Sequence, residues 1–175
     1  MREWPVIDQS IEYETGWYTG GYDLVEQPDG STKRYYWAAL PPAVVIIPVI
    51  DDQIIVVSQY RPAIREQHIE LPAGIVEPGE SFTQAADREL REETNFAAGS
   101  LAILQELWVA TGVLRHKRIY VFAEGLEPVA SEQDQNEFLT VSHLPIDEAI
   151  TTAREAPAND STITGLLLAR EEGLL

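Results

Sequence analysis

The hydrophobic positions divide the chain into a series of short strands punctuated by three helices. Trp17 to Val25 and Lys33 to Ala39 read as two strands, and Pro28-Asp29-Gly30 between them is a turn signal. Ala43 to Ile50 and Gln53 to Tyr60 are rich in Val and Ile and flank Asp51-Asp52, which predicts a buried hairpin. Ile69-Glu70-Leu71 predicts a short strand that stops at Pro72, and Leu101 to Val109, Arg118 to Ala123 and Phe138 to His143 predict three more. Two helices close the chain, near Ile146 to Arg154 and Ser161 to Glu172, separated by Ala156-Pro157-Ala158-Asn159. This order predicts an α+β fold, an α/β/α sandwich with a mixed sheet between helical layers.

The remaining helix, Phe82 to Thr94, carries acid where apolar residues belong. Ser81 is its predicted N-cap, Gln84 completes a capping box, and Pro78-Gly79 turns the chain into it. At about 100° per residue, Phe82, Ala85, Ala86 and Leu90 share one side. Glu89, Glu92 and Glu93 fall on or beside that side, while Gln84, Asp87 and Arg91 point away. An acidic helix is ordinarily a solvated face. Carboxylates turned toward a core are costly unless a cation pairs with them, and the angle favours that reading here. Mg²⁺ takes hard oxygen ligands, commonly one or two carboxylates plus substrate phosphate. Glu89 and Glu93 lie one helical turn apart and can reach one site.

Composition narrows the partners. A chain of 175 residues with 45% hydrophobic and 23% charged residues predicts one globular domain. The N-terminal sequence lacks a signal-peptide apolar run, and the longest apolar stretch, Ala38 to Ile50, is short and carries three prolines. With no cysteine there is neither a disulfide framework nor a thiolate metal site. These features predict a cytoplasmic protein. A net charge of −17 argues against nucleic acid or an anionic membrane as partner. Only Lys33 and Lys117 among twelve basic residues are lysines. Acidic excess with scarce lysine suggests a halophile-like adaptation to high salt, where screening weakens self-repulsion. An anionic substrate would be repelled unless metal ions invert the local field.

Gly74, Glu80, Arg88, Glu89, Leu90, Glu92 and Glu93 resemble the Nudix box, G-x5-E-x7-R-E-U-x-E-E-x-G-U, where U is aliphatic. The final glycine and aliphatic positions are Asn95 and Phe96 here, and Asn is the next-best residue for a left-handed helix end. Six polar or glycine positions would coincide by chance with a probability on the order of 10⁻⁷. The resemblance implies a Nudix-like mixed sheet between helices with an N-terminal β-hairpin. It further implies Glu89 and Glu93 as metal ligands, Glu92 as ligand or close supporter, and the Ala73 carbonyl as a backbone ligand. Gly74 would permit an exposed loop conformation there. Glu80 and Arg88 are expected to pair structurally, with Glu80 as a ligand the alternative.

Glu70-Leu71-Pro72-Ala73-Gly74 is similar to the entry of ADP-ribose pyrophosphatase-like Nudix proteins, and Gln59-Tyr60-Arg61 resembles their Q-Y-R. By that likeness Arg61 contacts the substrate diphosphate or adjoining ribose; a salt bridge to Glu70 is the alternative. Gly16-Trp17-Tyr18 and Pro28-Asp29-Gly30-Ser31 followed by Tyr35-Tyr36-Trp37 resemble the branch's N-terminal hairpin, which implies residues 1–40 as a hairpin and dimerisation region, 41–175 as the core, and a homodimer. Trp17 and Trp37 are base-stacking candidates, against a place in core or interface. Ala110-Thr111-Gly112 stands where the branch has S-P-G, with Gly112 retained as a substrate-binding candidate. The basic run Arg115 to Arg118 replaces an acidic position. It would face an extra phosphate or form a solvated loop. The general base is expected from the acidic loop before a late strand, where Glu137 matches best, with Glu132 and Asp134 as rivals; plain acidic surface is the alternative for that loop. The resemblance thus implies a Mg²⁺-dependent hydrolase, with Mn²⁺ as alternative metal, acting on ADP-ribose or a nucleotide sugar through catalytic Glu92, Glu93 and Glu137. The alternatives are a nucleoside triphosphate or dinucleoside polyphosphate hydrolase and a non-catalytic nucleotide sensor.

Overall fold

The computed structural model describes residues 3–130 and 138–175. In chain order the strands are β1 (Val6–Glu14), β2 (Thr19–Glu26), β3 (Thr32–Ala39), β4 (Ala43–Ile50), β5 (Gln53–Arg61), β6 (Glu66–Glu70) and β7 (Ala73–Ile75). Helix α1 (Phe82–Thr94) comes next, then β8 (Phe96–Ala97), β9 (Ser100–Trp108), β10 (Leu114–Arg115), β11 (Lys117–Glu124), β12 (Glu127–Pro128) and β13 (Leu139–Pro145). Helices α2 (Ile146–Thr152) and α3 (Asp160–Glu171) end the order. The fold is α+β, and every strand and helix expected from the residue pattern is present within a few residues.

The chain forms two compact units. The first contains residues 1–42 and 107–118, so it recruits a segment far from the N-terminal hairpin. Its sheet runs β1-β2-β3-β10: β2 pairs antiparallel with β1 and β3, and β10 runs parallel to β3. The hydrophobic pattern does not predict β1. Val6, Ile7, Ile11 and Tyr13 are all exposed, so no buried face imposes an alternation. Backbone pairing to β2 defines this strand instead.

The second unit contains residues 43–106 and 119–175. Asp51 and Asp52 both adopt positive φ, 48° and 59°, the conformation that closes a two-residue hairpin between β4 and β5. β4 is apolar without alternation because both of its faces are buried. Val44 and Ile46 pack with Ala85, Ala86 and Leu90 of α1 and with Ile119, Val121 and Ala123 of β11. Ile47 and Tyr120 face Gly165 of α3 on the other side. Helices thus cover both faces, as an α/β/α sandwich requires. β7, unforeseen in the sequence, pairs Ala73 with Val45 and Gly74 with Val44, and so brings the loop after Pro72 alongside α1.

Candidate active site

Helix α1 starts and stops as its sequence dictates. Ser81 Oγ accepts from the Gln84 N–H at 3.2 Å, and the Gln84 side chain accepts from the Ser81 N–H at 2.9 Å. Asn95 ends the helix in the left-handed conformation, φ 61°, the geometry expected of the glycine it replaces. Between these caps Ala85, Ala86 and Leu90 of the predicted face are buried and Phe82 partly so, and the carboxyl-bearing Glu89 and Glu93 are each less than a tenth exposed. Glu92 is half-buried beside them.

One guanidinium organises the carboxylates. Arg88 Nε donates to Glu80 Oε1 at 2.8 Å, Nη1 to Glu89 Oε1 at 2.7 Å and Glu92 Oε2 at 3.0 Å, and Nη2 to Glu80 Oε2 at 3.1 Å and the Ile75 carbonyl at 2.9 Å. All five donors of the side chain are thereby used. Its pKa is raised, first by the hydrogen bonds to Glu80 and then by Glu89 and Glu92, against the opposing effect of burial. Glu80 is held below the usual glutamate range, chiefly by Arg88 and next by the Glu77 N–H. Glu80 and Arg88 therefore tie the loop before α1 to the helix.

Glu93 Oε2 accepts from the Ala73 N–H at 3.0 Å, so β7 is bonded directly to the acidic face. Gly74 explains its own presence in a way the sequence did not suggest. It lies in β7 without a positive φ, and a side chain there would coincide with the Glu89 carboxyl group, 1.9–2.2 Å from its three atoms. The residue is needed for close approach rather than for an unusual backbone. Glu89, Glu92 and Glu93 with the neighbouring Ala73 backbone offer hard oxygen donors suited to a divalent cation. Glu89 and Glu92 bind Arg88 here, and no group of three acidic or imidazole side chains among the described residues is already spaced to hold a metal. The donor chemistry fits a divalent cation.

The other candidates divide by unit. Arg61, in the second unit, donates from Nε to Glu70 Oε1 at 3.0 Å and Oε2 at 3.2 Å, with Nη2 also on Oε2. Glu70 is almost fully buried, so this cation neutralises it. Trp17, Trp37 and Gly112 belong to the first unit. Trp17 is exposed. Trp37 Nε1 donates to Asp23 Oδ1 at 2.8 Å, and the Arg115 guanidinium lies 3.9 Å over its ring while also bonding Asp23 Oδ2. Thr111, Gly112, Tyr35 and Tyr36 line a cavity of about 180 Å³ with these three residues. Sequence reasoning missed Asp23, whose carboxylate ties Arg115 to Trp37; nothing in its local pattern marked it. Glu132, Asp134 and Glu137 lie outside the described residues.

The NUDIX domain family model matches residues 39–166. ADP compounds hydrolase NudE of Escherichia coli is 32% identical over 130 residues, covering 74% of this chain and 70% of that protein. ADP-ribose pyrophosphatase of Bacillus subtilis is 30% identical over 141 residues, covering 78% and 76%. The solved structure of an ADP compounds hydrolase superposes with a TM-score of 0.89 at 26% identity, across 100% of this chain and 98% of that one. The chain belongs to the Nudix family and is a Nudix hydrolase. Enzymes of this family generally depend on a divalent metal.

Proposed function

We propose that this chain hydrolyses a nucleoside diphosphate linked to a second moiety, ADP-ribose or a nucleotide sugar, to a nucleoside monophosphate and a sugar phosphate. The observation that carries this reading is the buried carboxylate set of α1 held against Ala73 and Gly74 of β7. The names of the relatives, hydrolases of ADP compounds and of ADP-ribose, agree with it.

Glu89, Glu92 and Glu93, with the Ala73 carbonyl, would hold Mg²⁺, or Mn²⁺ in its place. When bound, the cation supplies neutralisation of the diphosphate charge and a more acidic water. Arg88 orients Glu89 and Glu92 through its hydrogen bonds, and Glu80 holds Arg88 in turn. Glu137 is assigned the general base from its place in the sequence, accepting a proton from the attacking water. Trp17, Trp37 and Gly112 are assigned to the nucleotide, and Arg61 to the diphosphate in addition to its pairing with Glu70. The exposed apolar side chains of β1 support a homodimer built on the first unit. A cytoplasmic location is part of the same reading. No described helix is long and apolar enough to cross a membrane.

The triphosphatase alternative rests on Arg115 to Arg118. Arg115 is engaged by Asp23 and Trp37, and Lys117 lies 5.2 Å from the Trp108 ring, which weakens the case for a free phosphate-binding run. Glu93→Gln should lower Mg²⁺-dependent turnover by about a hundredfold or more with the circular dichroism spectrum unchanged. Turnover equal to the parent would sink the site assignment. A hydrolysis screen in high salt over ADP-ribose, nucleotide sugars, triphosphates and dinucleoside polyphosphates tests the substrate; pyrophosphate release from triphosphates alone would overturn it.

A further inference from the structure

The short passage from β6 to β7 is held by three parts of the second unit, β4, α1 and α3. The Pro72 carbonyl accepts from the Ile46 N–H of β4 at 2.8 Å. The Ala73 N–H donates to Glu93 of α1 at 3.0 Å, and Gly74 pairs with Val44 beneath the Glu89 carboxylate. Leu71, the first residue of the passage, donates its N–H to Thr162 Oγ1 of α3 at 3.1 Å, a bond spanning 91 residues of sequence. Both residues are almost fully buried, so water is a poor substitute for either partner.

Helix α3 is built to hold that hydroxyl still. Asn159 caps it, with Oδ1 accepting from the Ser161 and Thr162 N–H groups at 3.0 and 3.1 Å. One turn along, Gly165 lets the helix seat closely: a Cβ there would lie 2.8 Å from Leu71 Cδ1. Pro72 stiffens the link between Leu71 and Ala73, because its ring fixes its own φ and restricts the residue before it. A displacement of Leu71 is therefore passed to Ala73 with little slack.

We propose that Thr162 is a positioning residue of the metal site. Its hydroxyl, through the Leu71 N–H, sets the register in which Ala73 and Gly74 meet Glu93 and Glu89, and so sets the affinity for the divalent cation. This rests on the reading of Ala73, Glu89 and Glu93 as the metal's ligands. Thr162 touches neither metal nor substrate; it acts through the loop.

Mn²⁺ binding to the full chain, measured by electron paramagnetic resonance without substrate, tests it. Thr162→Val keeps the shape and removes the acceptor, and should weaken Mn²⁺ binding about tenfold or more. Thr162→Ser, which restores the hydroxyl, should return to within about threefold of the parent. The Mg²⁺ concentration for half-maximal turnover should move in parallel, while the KM for substrate at saturating Mg²⁺ stays put. Thermal unfolding identifies conditions in which each variant is folded, and Thr162→Ala replaces the valine variant if that does not fold. A folded variant lacking the hydroxyl that binds Mn²⁺ like the parent overturns the proposal. A Glu93→Gln protein with parental Mn²⁺ affinity would instead overturn the underlying ligand assignment.

Discussion

At Gly74 a missing side chain decides where a carboxylate can rest. The atoms nearest to a Cβ at this position belong to the flexible end of Glu89. Gly74→Ala should therefore cost little stability, about 1 kcal/mol or less, yet displace Glu89 and lower turnover about tenfold or more. A melting curve and a rate measurement on the same sample separate the two effects. At Glu80 the expected outcome depends on pH. Its folded pKa lies below the usual glutamate value of about 4.3. The stabilisation is thus fully present above that value and is lost as pH falls through Glu80's own lower one. Glu80→Gln should melt earlier than the parent at neutral pH, and the gap should close in acid; a gap independent of pH would refute the coupling. At this scale the inward-facing Glu89 and Glu93 were legible from helical spacing, while the Glu80–Arg88 pair was expected from the resemblance to the Nudix box. The reason for Gly74 was not, because its constraint comes from a side chain fifteen positions away in sequence that no local pattern names.

Helix α1 is the element whose limits were most readable, since both ends are written in capping residues. Its C-terminal residue is a compromise. Asn95 tolerates the left-handed conformation, but its Oδ1 is buried with no hydrogen-bond partner among the described residues. Asn95→Gly should relieve both costs and stabilise by about 1 kcal/mol, raising the melting temperature by roughly 2–4 °C. Asn95→Ala removes the orphaned oxygen but retains the backbone strain, and should fall below the glycine variant. β1 and β7 were illegible for opposite reasons. β1 buries too little to show a periodicity, and β7 is three residues held by pairing to β4. Strands defined by their partners leave little trace in their own composition.

Over the whole molecule, 29 acidic residues face 12 basic ones, and several of the basic side chains are already committed to pairs at Glu70, Glu80 and Asp23. Repulsion among the remaining acids should dominate at low ionic strength, where the screening length is about 10 Å at 0.1 M and shrinks to about 3 Å at 1 M. The melting temperature should rise as KCl is taken from millimolar to molar, and full structure and activity after dialysis into low salt would undermine the halophile-like reading. Fold class, the longer strands of the second unit and the three helices were legible at this scale. The recruitment of residues 107–118 into the first unit was not, because strand pairing across so long a separation is invisible to local pattern.

That division gives the molecule two separate optical reporters. All four tryptophans, Trp4, Trp17, Trp37 and Trp108, belong to the first unit, while all three described helices belong to the second. Indole emission therefore tracks one unit and helical ellipticity at 222 nm the other. Denaturation curves recorded at both wavelengths on one sample read the cooperativity between the two directly, without a label or a substitution.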